Sequence, residues 1–317
     1  MPDDEKHEMR ETRDIFVRHL SDDFMKFLAE GAGRWLLDSF QDHQLDVRLR
    51  GNYFNAYTVG NSLAKVAWNG HTKRATLTLH AKYLKGFDLP EQRVRYITKK
   101  NGEKEPSYID VPLDETAVSA YVACLDALKE NAAPFAKPEA RWEERCIRSN
   151  LLHGPQVVLD RQIAKGDPQN LPGETKERRG ARRLDVLTAL APEDPGVVAL
   201  ELKRDCDARI QEVPLQVMRY LEFLDPEGKG FSPVIAGSYR RACAQYASLG
   251  LPAPAPHAVA SGLPVYGLIG LANYNQRSAL LDRAKQAART IPRKLYYCFI
   301  DDDAPKLPPR SDWRPLE

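Results

Sequence analysis

The sequence is poor in the residues that build common metal and phosphate sites. Its five cysteines form no Cys-x-x-Cys pair, which argues against a zinc knuckle and against a disulfide framework. Its seven histidines are dispersed without a His-Glu-x-x-His motif, so zinc-dependent hydrolysis has no support. Gly228-Lys229-Gly230 lacks the spacing of a phosphate-binding loop and is interpreted as a turn. Use of nucleoside triphosphates therefore has no support either.

Long apolar runs and a strong net charge are also missing. No segment offers the ~18 uninterrupted apolar residues of a membrane-spanning helix, and the opening Met-Pro-Asp-Asp-Glu-Lys has no apolar core of signal-peptide length. The formal net charge of +2 is too small to indicate a nucleic-acid partner, so any basic surface must be local. We expect a soluble cytoplasmic protein with reduced thiols and no membrane partner.

The first 135 residues predict a smaller α+β module, for which substrate binding and dimerisation are both open roles. Apolar residues at three- and four-residue steps predict a helix over residues 10–42, and residues 114–131 are helical again. Between them the period falls to two, and Asn69-Gly70 is a turn signal, which together indicate an antiparallel sheet. The predicted strands are Leu45–Arg50, Ala64–Trp68 and Arg74–His80. Two prolines in residues 131–138 interrupt the pattern, so we place the domain boundary after residue 135.

Residues 136–317 predict a second, α/β domain. The predicted order is a helix, three strands, a helix and a strand, with an extra helix–strand pair. The predicted helices are Glu139–Leu152 and residues 212–224. The predicted strands are Gln156–Asp160, the segments around Asp185 and Glu201, Leu263–Leu271 and Leu295–Ile300. We expect a mixed central sheet flanked by helices.

Two of these strands carry the chemically informative residues. Asp185 lies in the apolar segment Leu184–Leu187, and Glu201 and Lys203 lie in Val197–Lys203. Side chains two residues apart in a strand share one face, so Glu201 and Lys203 lie together and a neighbouring strand can bring Asp185 beside them. Two carboxylates can hold Mg²⁺, and an amine can orient an attacking water. This arrangement is what metal-dependent hydrolysis of a phosphodiester requires.

Four features carry a resemblance to a nuclease family: Glu144 on a leading helix, Asp185 on one strand, Glu201-Leu202-Lys203 on the next, and Gln216-Val-Met-Arg-Tyr220 on the following helix. The arrangement resembles the PD-(D/E)XK nuclease superfamily, which has the restriction-endonuclease-like fold. It is particularly similar to the catalytic domain of the archaeal and actinobacterial mismatch endonuclease family. The resemblance covers residues 139–224, and nothing before residue 135 takes part in it.

The resemblance implies a role for each matching residue. Asp185 and Glu201 would bind Mg²⁺, with Mn²⁺ as an alternative ion, and Lys203 would position the nucleophilic water. Glu144 would assist from its helix, while Gln216 and Tyr220 would line the site. The family's proline before the strand aspartate is replaced by Leu184, which removes no ligand. By analogy, DNA is the expected substrate; the oligomeric state stays open, and a homodimer is one arrangement that the resemblance suggests.

Two alternatives stay open at the site. A buried Lys203 could neutralise one of the carboxylates, which would leave an ion-pair cluster on a catalytically silent nucleic-acid-binding or scaffold protein. The helix carboxylate could be Glu143, although Glu144 is preferred because Ile147 and Leu151 then fall three and seven residues later on the apolar face.

Two regions are candidates for binding a nucleic acid. A basic run precedes the Asp185 strand and could track a phosphate backbone, although a solvated loop has the same composition. Its members are Lys176, Arg178, Arg179, Arg182 and Arg183. The first module mixes basic and aromatic residues, including Arg48, Arg50, Phe54, Lys65 and Trp68, as stacking platforms for single strands do. A dimer or partner surface is the competing use.

Overall fold

The computed structural model describes residues 17–99, 102–164, 183–204, 209–252, 259–274 and 278–317. Over these ranges the protein is a mixed α/β structure with eight α-helices and two six-stranded sheets. The chain divides into two compact units. One comprises Arg18–Arg145 with Ala244–Pro252, and the other comprises the described parts of Cys146–Cys243 and Ala253–Glu317.

The division between the units lies later along the chain than the prolines on which the sequence-based boundary rests. It falls after Arg145, inside the helix Pro138–Ser149. Pro138 is the first residue of that helix, a position where proline's fixed φ and missing N–H cost nothing. The second proline of the pair therefore begins a helix.

The first unit combines helices with an antiparallel sheet. Its helices are α1 (Asp22–Ala29), α2 (Gly31–Asp42), α3 (Glu115–Ala123) and α4 (Leu125–Ala132). Its strands are β1 (Asp46–Leu49), β2 (Tyr53–Thr58), β3 (Asn61–Asn69), β4 (Arg74–His80), β5 (Arg93–Thr98) and β6 (Lys104–Pro112). The sheet order is β1-β2-β3-β4-β6-β5, and each neighbouring pair is antiparallel. The three predicted strands lie within or overlap β1, β3 and β4.

The helical segment predicted over residues 10–42 is, in its described part, two helices, α1 and α2, rather than one. Glu30 has extended backbone (φ −138°, ψ 161°) and separates α1 from α2. A Cβ on Gly33 would lie 2.1 Å from the carbonyl oxygen of Phe27, so the two helices approach each other where only glycine fits. Residues 10–16 lie outside the described ranges.

This sheet buries one face and leaves the other partly exposed. Along β4, Ala75, Leu77 and Leu79 are buried, whereas Thr76 and Thr78 are only partly so. The buried face meets α1, because the ring of Phe24 lies 6.0 Å from that of Phe54 and 5.6 Å from that of Trp68, centroid to centroid. Such one-sided burial is usual for antiparallel sheets.

The second unit is built around a mixed sheet. Its strands are β7 (Gln156–Ala164), β8 (Arg183–Leu190), β9 (Val197–Arg204), β10 (Val265–Ala272), β11 (Leu295–Phe299) and β12 (Arg314–Pro315). The helices in this part of the chain are α5 (Pro138–Ser149), α6 (Val213–Leu224), α7 (Pro233–Ser248) and α8 (Ala279–Ala288). The sheet order is β12-β11-β10-β9-β8-β7. β7, β8 and β9 are antiparallel neighbours, β9, β10 and β11 are parallel, and β12 is antiparallel to β11.

The predicted strands and helices of this domain are present, and α7 is an addition. Its sequence contains alanine, glycine, serine and cysteine at many positions, so its apolar period is weak. α6 packs on the sheet through Val217 and Leu221, beside Val197 and Ala199 of β9. A Cβ on Gly267 of β10 would lie 2.7 Å from Cγ1 of Val217, so glycine permits this close approach.

In the described ranges, no helix is both long enough and apolar enough to span a bilayer.

Candidate functional site

Asp185 and Glu201 come together where β8 and β9 separate. The backbone pairing of these strands runs from Ala189 with Val197 to Val186 with Leu200. Continuing that register by one residue sets Asp185 opposite Glu201. At this point the amide N–H of Leu202 donates to Oδ2 of Asp185 at 2.9 Å. If the strands stayed paired, the amide of Leu202 would bond to the backbone of β8. Here the side-chain carboxylate of Asp185 accepts that hydrogen bond instead.

Lys203 contacts both carboxylates, as its position two residues after Glu201 predicts. Its Nζ lies 2.9 Å from Oε1 of Glu201 and 4.0 Å from Oδ2 of Asp185. The side chain of Lys203 is 12% exposed, that of Glu201 2% and that of Asp185 24%. The three groups thus form a cluster that is closed around Glu201 and open to solvent at Asp185.

Gln216 completes the surroundings of Glu201 from α6. Its Nε2 donates to Oε1 of Glu201 at 2.9 Å, so that oxygen accepts hydrogen bonds from both Gln216 and Lys203. The other oxygen, Oε2, is buried and receives no hydrogen bond from a donor among the described residues, although the carboxyl groups of Glu201 and Asp185 share a hydrogen bond. A buried carboxylate oxygen without a donor is costly unless a proton or a cation meets it.

Burial and mutual repulsion raise the pKa values of both carboxyl groups. For Glu201, burial is the larger cause and the charge of Asp185 the next, and together they raise its pKa well above the usual range despite Lys203. Burial also raises the pKa of Asp185, opposed by the charge of Lys203 and the hydrogen bond from Leu202. The pair therefore favours any bound species that supplies positive charge.

Arg161 is a contributor that the sequence-based prediction missed. It lies on β7, is fully buried, and its charge helps to lower the pKa of Asp185 against the effect of burial. Its neighbour Asp160 accepts a hydrogen bond from the hydroxyl of Tyr239 at 2.9 Å and one from the amide of Arg161 at 2.7 Å. The available signal was an ionic pair of residues directly after the apolar run Val157–Leu159.

Two further predicted site residues are buried. The hydroxyl of Tyr220 donates to the carbonyl oxygen of Ile163 at 3.3 Å, which connects α6 to β7. Glu144 on α5 is 3% exposed and belongs to the unit containing Arg18–Arg145, and Glu143 is also buried. The catalytic roles of Tyr220 and Glu144 stay predictions.

The predicted basic run falls largely outside the described residues. Lys176, Arg178, Arg179 and Arg182 lie in the range that the structure does not describe, and Arg183 is described only as the backbone at the start of β8. The role of this basic run in binding nucleic acid stays a prediction.

The predicted platform of basic and aromatic residues in the first unit is divided between buried and accessible positions. Phe54, Arg48 and Arg50 are buried, and Trp68 lies against α1 through Phe24. Lys65 is partly accessible on the other face of β3. These five residues therefore do not form one surface, and a role of this sheet in binding nucleic acid stays a prediction.

The donor set at the candidate site consists of two carboxylates. In the ranges that the structure describes, no three His, Cys, Asp or Glu side chains are grouped as a metal site. Comparison with protein-family models, with curated proteins and with solved structures found no match to this chain. The geometry and chemistry of Asp185, Glu201, Lys203 and Gln216 are therefore the basis for inferring a function.

Proposed function

We propose that the protein is a Mg²⁺-dependent nuclease that hydrolyses phosphodiester bonds of nucleic acid, with DNA as the expected substrate. The observation that carries the proposal is the pair of close carboxyl groups, in which the buried Oε2 of Glu201 receives no hydrogen bond from a described donor and lies beside Asp185. We further propose the restriction-endonuclease-like form of the α/β fold for the second unit. Its antiparallel strands β7 to β9, followed by parallel strands β9 to β11, support that assignment.

The residues present fit a magnesium ion. Mg²⁺ prefers oxygen ligands and is commonly bound through one or two carboxylates together with waters and substrate phosphates. Asp185 and Glu201 would hold it, and its charge would offset the repulsion and burial that raise their pKa values. Mn²⁺, which also accepts carboxylate ligands, is the alternative ion.

Lys203 is the residue best placed to act on the reacting groups. A bound Mg²⁺ would supply positive charge for the phosphate and lower the pKa of water. In the reaction, the oxygen of water bonds to phosphorus and the bond to one sugar oxygen breaks, leaving a phosphate monoester and a hydroxyl group. The ammonium of Lys203, in contact with both carboxylates, can orient the water or stabilise negative charge that develops on the phosphate.

Gln216 is a positioning residue under this proposal. Its amide holds Oε1 of Glu201, which fixes the orientation of the carboxylate and leaves Oε2 as the available ligand atom. Groups that orient metal ligands in this way usually affect metal affinity and activity strongly.

One specific contact favours a second candidate function. The ion pair between Lys203 and Glu201 could neutralise the buried carboxylate by itself, and two protein carboxylates are a small donor set. Under that interpretation the site is structural, and the protein is a catalytically silent nucleic-acid-binding or scaffold protein. It would bind nucleic acid with strong salt dependence and no metal-dependent turnover.

The experiment that tests the proposal is cleavage of labelled single-stranded DNA, duplex DNA, mismatched duplex DNA and RNA in Mg²⁺, Mn²⁺ or EDTA. The variants are Asp185→Ala, Glu201→Gln and Lys203→Ala, each expected to abolish cleavage while binding survives. Asp194→Asn is the matched control, because Asp194 is a half-exposed carboxylate that pairs with Arg310 on the surface of the same unit.

Metal binding provides a readout that does not depend on activity. Calorimetric titration of the wild-type protein with Mg²⁺ should detect a site that Asp185→Ala and Glu201→Gln lose and Asp194→Asn keeps. Metal-dependent cleavage that continues unchanged in both Glu201→Gln and Lys203→Ala would reject the assignment of the site. Absence of both a metal site and cleavage, with binding intact, would favour the silent binding protein.

A further inference from the structure

The partly exposed face of the first unit's sheet contains a second candidate binding site. An open cavity of about 580 Å³ lies on this face, lined by residues of β3, β4, β5 and β6 and of the segment before β5. Its charged side chains are Lys65, Arg93, Arg95, Glu91 and Asp110, and it also contains the hydroxyl groups of two threonines. A volume of this size lies within the range of ordinary small-ligand sites and can hold a nucleotide unit.

One carboxylate of the cavity is already compensated by its neighbours. Oδ1 of Asp110 accepts hydrogen bonds from Nη2 of Arg95 at 2.9 Å and from Oγ1 of Thr78 at 2.6 Å. Oδ2 of Asp110 lies 2.8 Å from Nε of Arg95. Arg95 and Asp110 therefore form a bidentate pair, in which the carboxylate is largely compensated by Arg95.

Lys65 and Arg93 are the cations that this pair leaves uncompensated. In the part of the chain that the structure describes, no ion pair joins either of them to a carboxylate, and Glu91 is the one further acidic residue of the lining. Burial and the charge of Arg95 lower the pKa of Lys65, against the attraction of Asp110. An anion placed beside Lys65 would relieve its repulsion with Arg95.

Aromatic rings lie beside the cations. Nζ of Lys65 is 4.1 Å from the ring centroid of Tyr53, and the guanidinium carbon of Arg95 is 5.0 Å from that of Tyr108. Tyr108 is 42% exposed, and Tyr96 on the edge strand β5 is 59% exposed. Cations that contact phosphates, next to accessible rings on which bases stack, are the features of single-strand binding surfaces.

We propose that this cavity, the sheet-face site, binds the phosphates of a single-stranded segment of nucleic acid, with Lys65 and Arg93 contacting the phosphates. The choice of a nucleic acid as occupant rests on the proposed nuclease function. The hydroxyl of Thr76 lies in the same lining and can add a hydrogen bond to a phosphate oxygen. The accessible tyrosines favour a nucleic acid over an acidic peptide, which would offer carboxylates but no bases.

The test is binding of a fluorescent single-stranded oligonucleotide to the full chain in EDTA, measured by anisotropy at several salt concentrations. The variant is Lys65→Gln with Arg93→Gln. The matched control is Lys26→Gln with Lys85→Gln, because both lysines are exposed in the same unit, outside the cavity lining. Lys65→Arg keeps the charge and should keep the affinity. Thermal unfolding of each variant verifies that the unit stays folded.

Two lost phosphate contacts should lower the slope of log affinity against log salt by about 1.4 and weaken binding about 25-fold at ~0.1 M salt, since each single-strand contact contributes ~0.7. The control pair should leave the slope unchanged. An equal loss in both pairs, or no loss in either, would overturn the sheet-face site. Displacement of the strand by polyglutamate as effectively as by an unlabelled oligonucleotide would assign the cavity to an acidic peptide. If the protein binds inorganic phosphate at this cavity but does not bind the oligonucleotide, a nucleic acid is also rejected as the occupant.

The two proposals fail separately. Loss of metal-dependent cleavage in Asp185→Ala tests the nuclease, and strand binding in EDTA tests the sheet-face site. If the protein shows no cleavage but its affinity for the strand falls in the Lys65→Gln, Arg93→Gln variant, only the sheet-face site is supported. If the protein cleaves but binds the strand equally well with and without these two cations, only the nuclease proposal is supported.

Discussion

The carboxylate of Asp185 accepts the amide N–H of Leu202 at 2.9 Å, beyond the last backbone pair between β8 and β9. Leu202 is buried, so its amide needs an acceptor that a separated strand no longer supplies. The side chain of Asp185 therefore has two functions. It accepts the hydrogen bond of the Leu202 amide where β8 and β9 separate, and it brings a carboxylate next to Glu201. This double use allows the structural and chemical contributions of Asp185 to be measured apart.

Asp185→Ala should be less stable than Asp185→Asn. The oxygen of asparagine can still accept the Leu202 amide, whereas alanine leaves that buried donor without a partner, a loss of about 1–3 kcal/mol. Urea unfolding of the two variants measures the difference, and both should lose Mg²⁺ binding. Equal stability of the two variants would mean that the hydrogen bond to Leu202 contributes little.

Glu201→Gln should stabilise the metal-free protein at neutral pH. Because the folded protein raises the pKa of Glu201 above its ordinary 4.5, stability present below pH 4.5 is lost as pH rises through the raised value. Glutamine does not ionise, so the variant should escape this loss. In EDTA at pH 7.5 we expect a Tm about 2–4 °C higher than wild type, the shift that ~1 kcal/mol causes in a domain of 150–250 residues.

Two comparisons check the Glu201→Gln prediction. The Tm difference should shrink toward pH 4, where Glu201 is protonated in both the folded and the unfolded protein. Added Mg²⁺ should raise the Tm of wild type but not that of the variant, because a ligand that binds only the folded state stabilises it. A variant that is less stable than wild type in EDTA at neutral pH would contradict the repulsion between Asp185 and Glu201.

The part of the site that the sequence predicts is the part determined by local periodicity. Glu201 and Lys203 share a face because strand side chains alternate. The place of Gln216 was implied by the resemblance to the nuclease family, and its amide does bond Glu201. The juxtaposition of Asp185 needs only one antiparallel neighbour. These relationships extend over short segments, so residue spacing is enough to predict them.

The rest depends on register and packing between distant segments. Arg161 influences Asp185 from β7, and no local pattern encodes how far β7 shifts along β8 after the irregularity between Val158 and Asp160. The break at Glu30 depends on a close contact between Gly33 and the backbone of Phe27. The sheet-face site needs β3, β4, β6 and β5 in that spatial order, which is not their order along the chain.

Gln216→Ala should reduce Mg²⁺ affinity and cleavage by about 10–100-fold, the usual effect of removing a group that orients a metal ligand. The substitution removes the amide that holds Oε1 of Glu201 at 2.9 Å. Leu215→Ala is the control, because Leu215 is on the same helix and half exposed. Gln216→Glu should lose more than Gln216→Ala, since a third carboxylate adds repulsion. Full activity in Gln216→Ala would remove Gln216 from the site.

Gly267→Ala and Gly237→Ala should change stability in opposite directions. A Cβ on Gly267 would lie 2.6 Å from Cδ2 of Leu295 and 2.7 Å from Cγ1 of Val217, so these side chains, or the β11 and α6 backbones that carry them, must shift, and alanine should cost about 1–3 kcal/mol. Gly237 lies inside α7 with nothing within 4 Å of an added Cβ, so alanine should stabilise the helix by about 0.5–1 kcal/mol. Urea unfolding measures both. Because α6 carries Gln216, the Gly267 variant should also bind Mg²⁺ more weakly, whereas the Gly237 variant should match wild type. A Gly267→Ala protein of unchanged stability would mean that α6 does not pack this closely on β10.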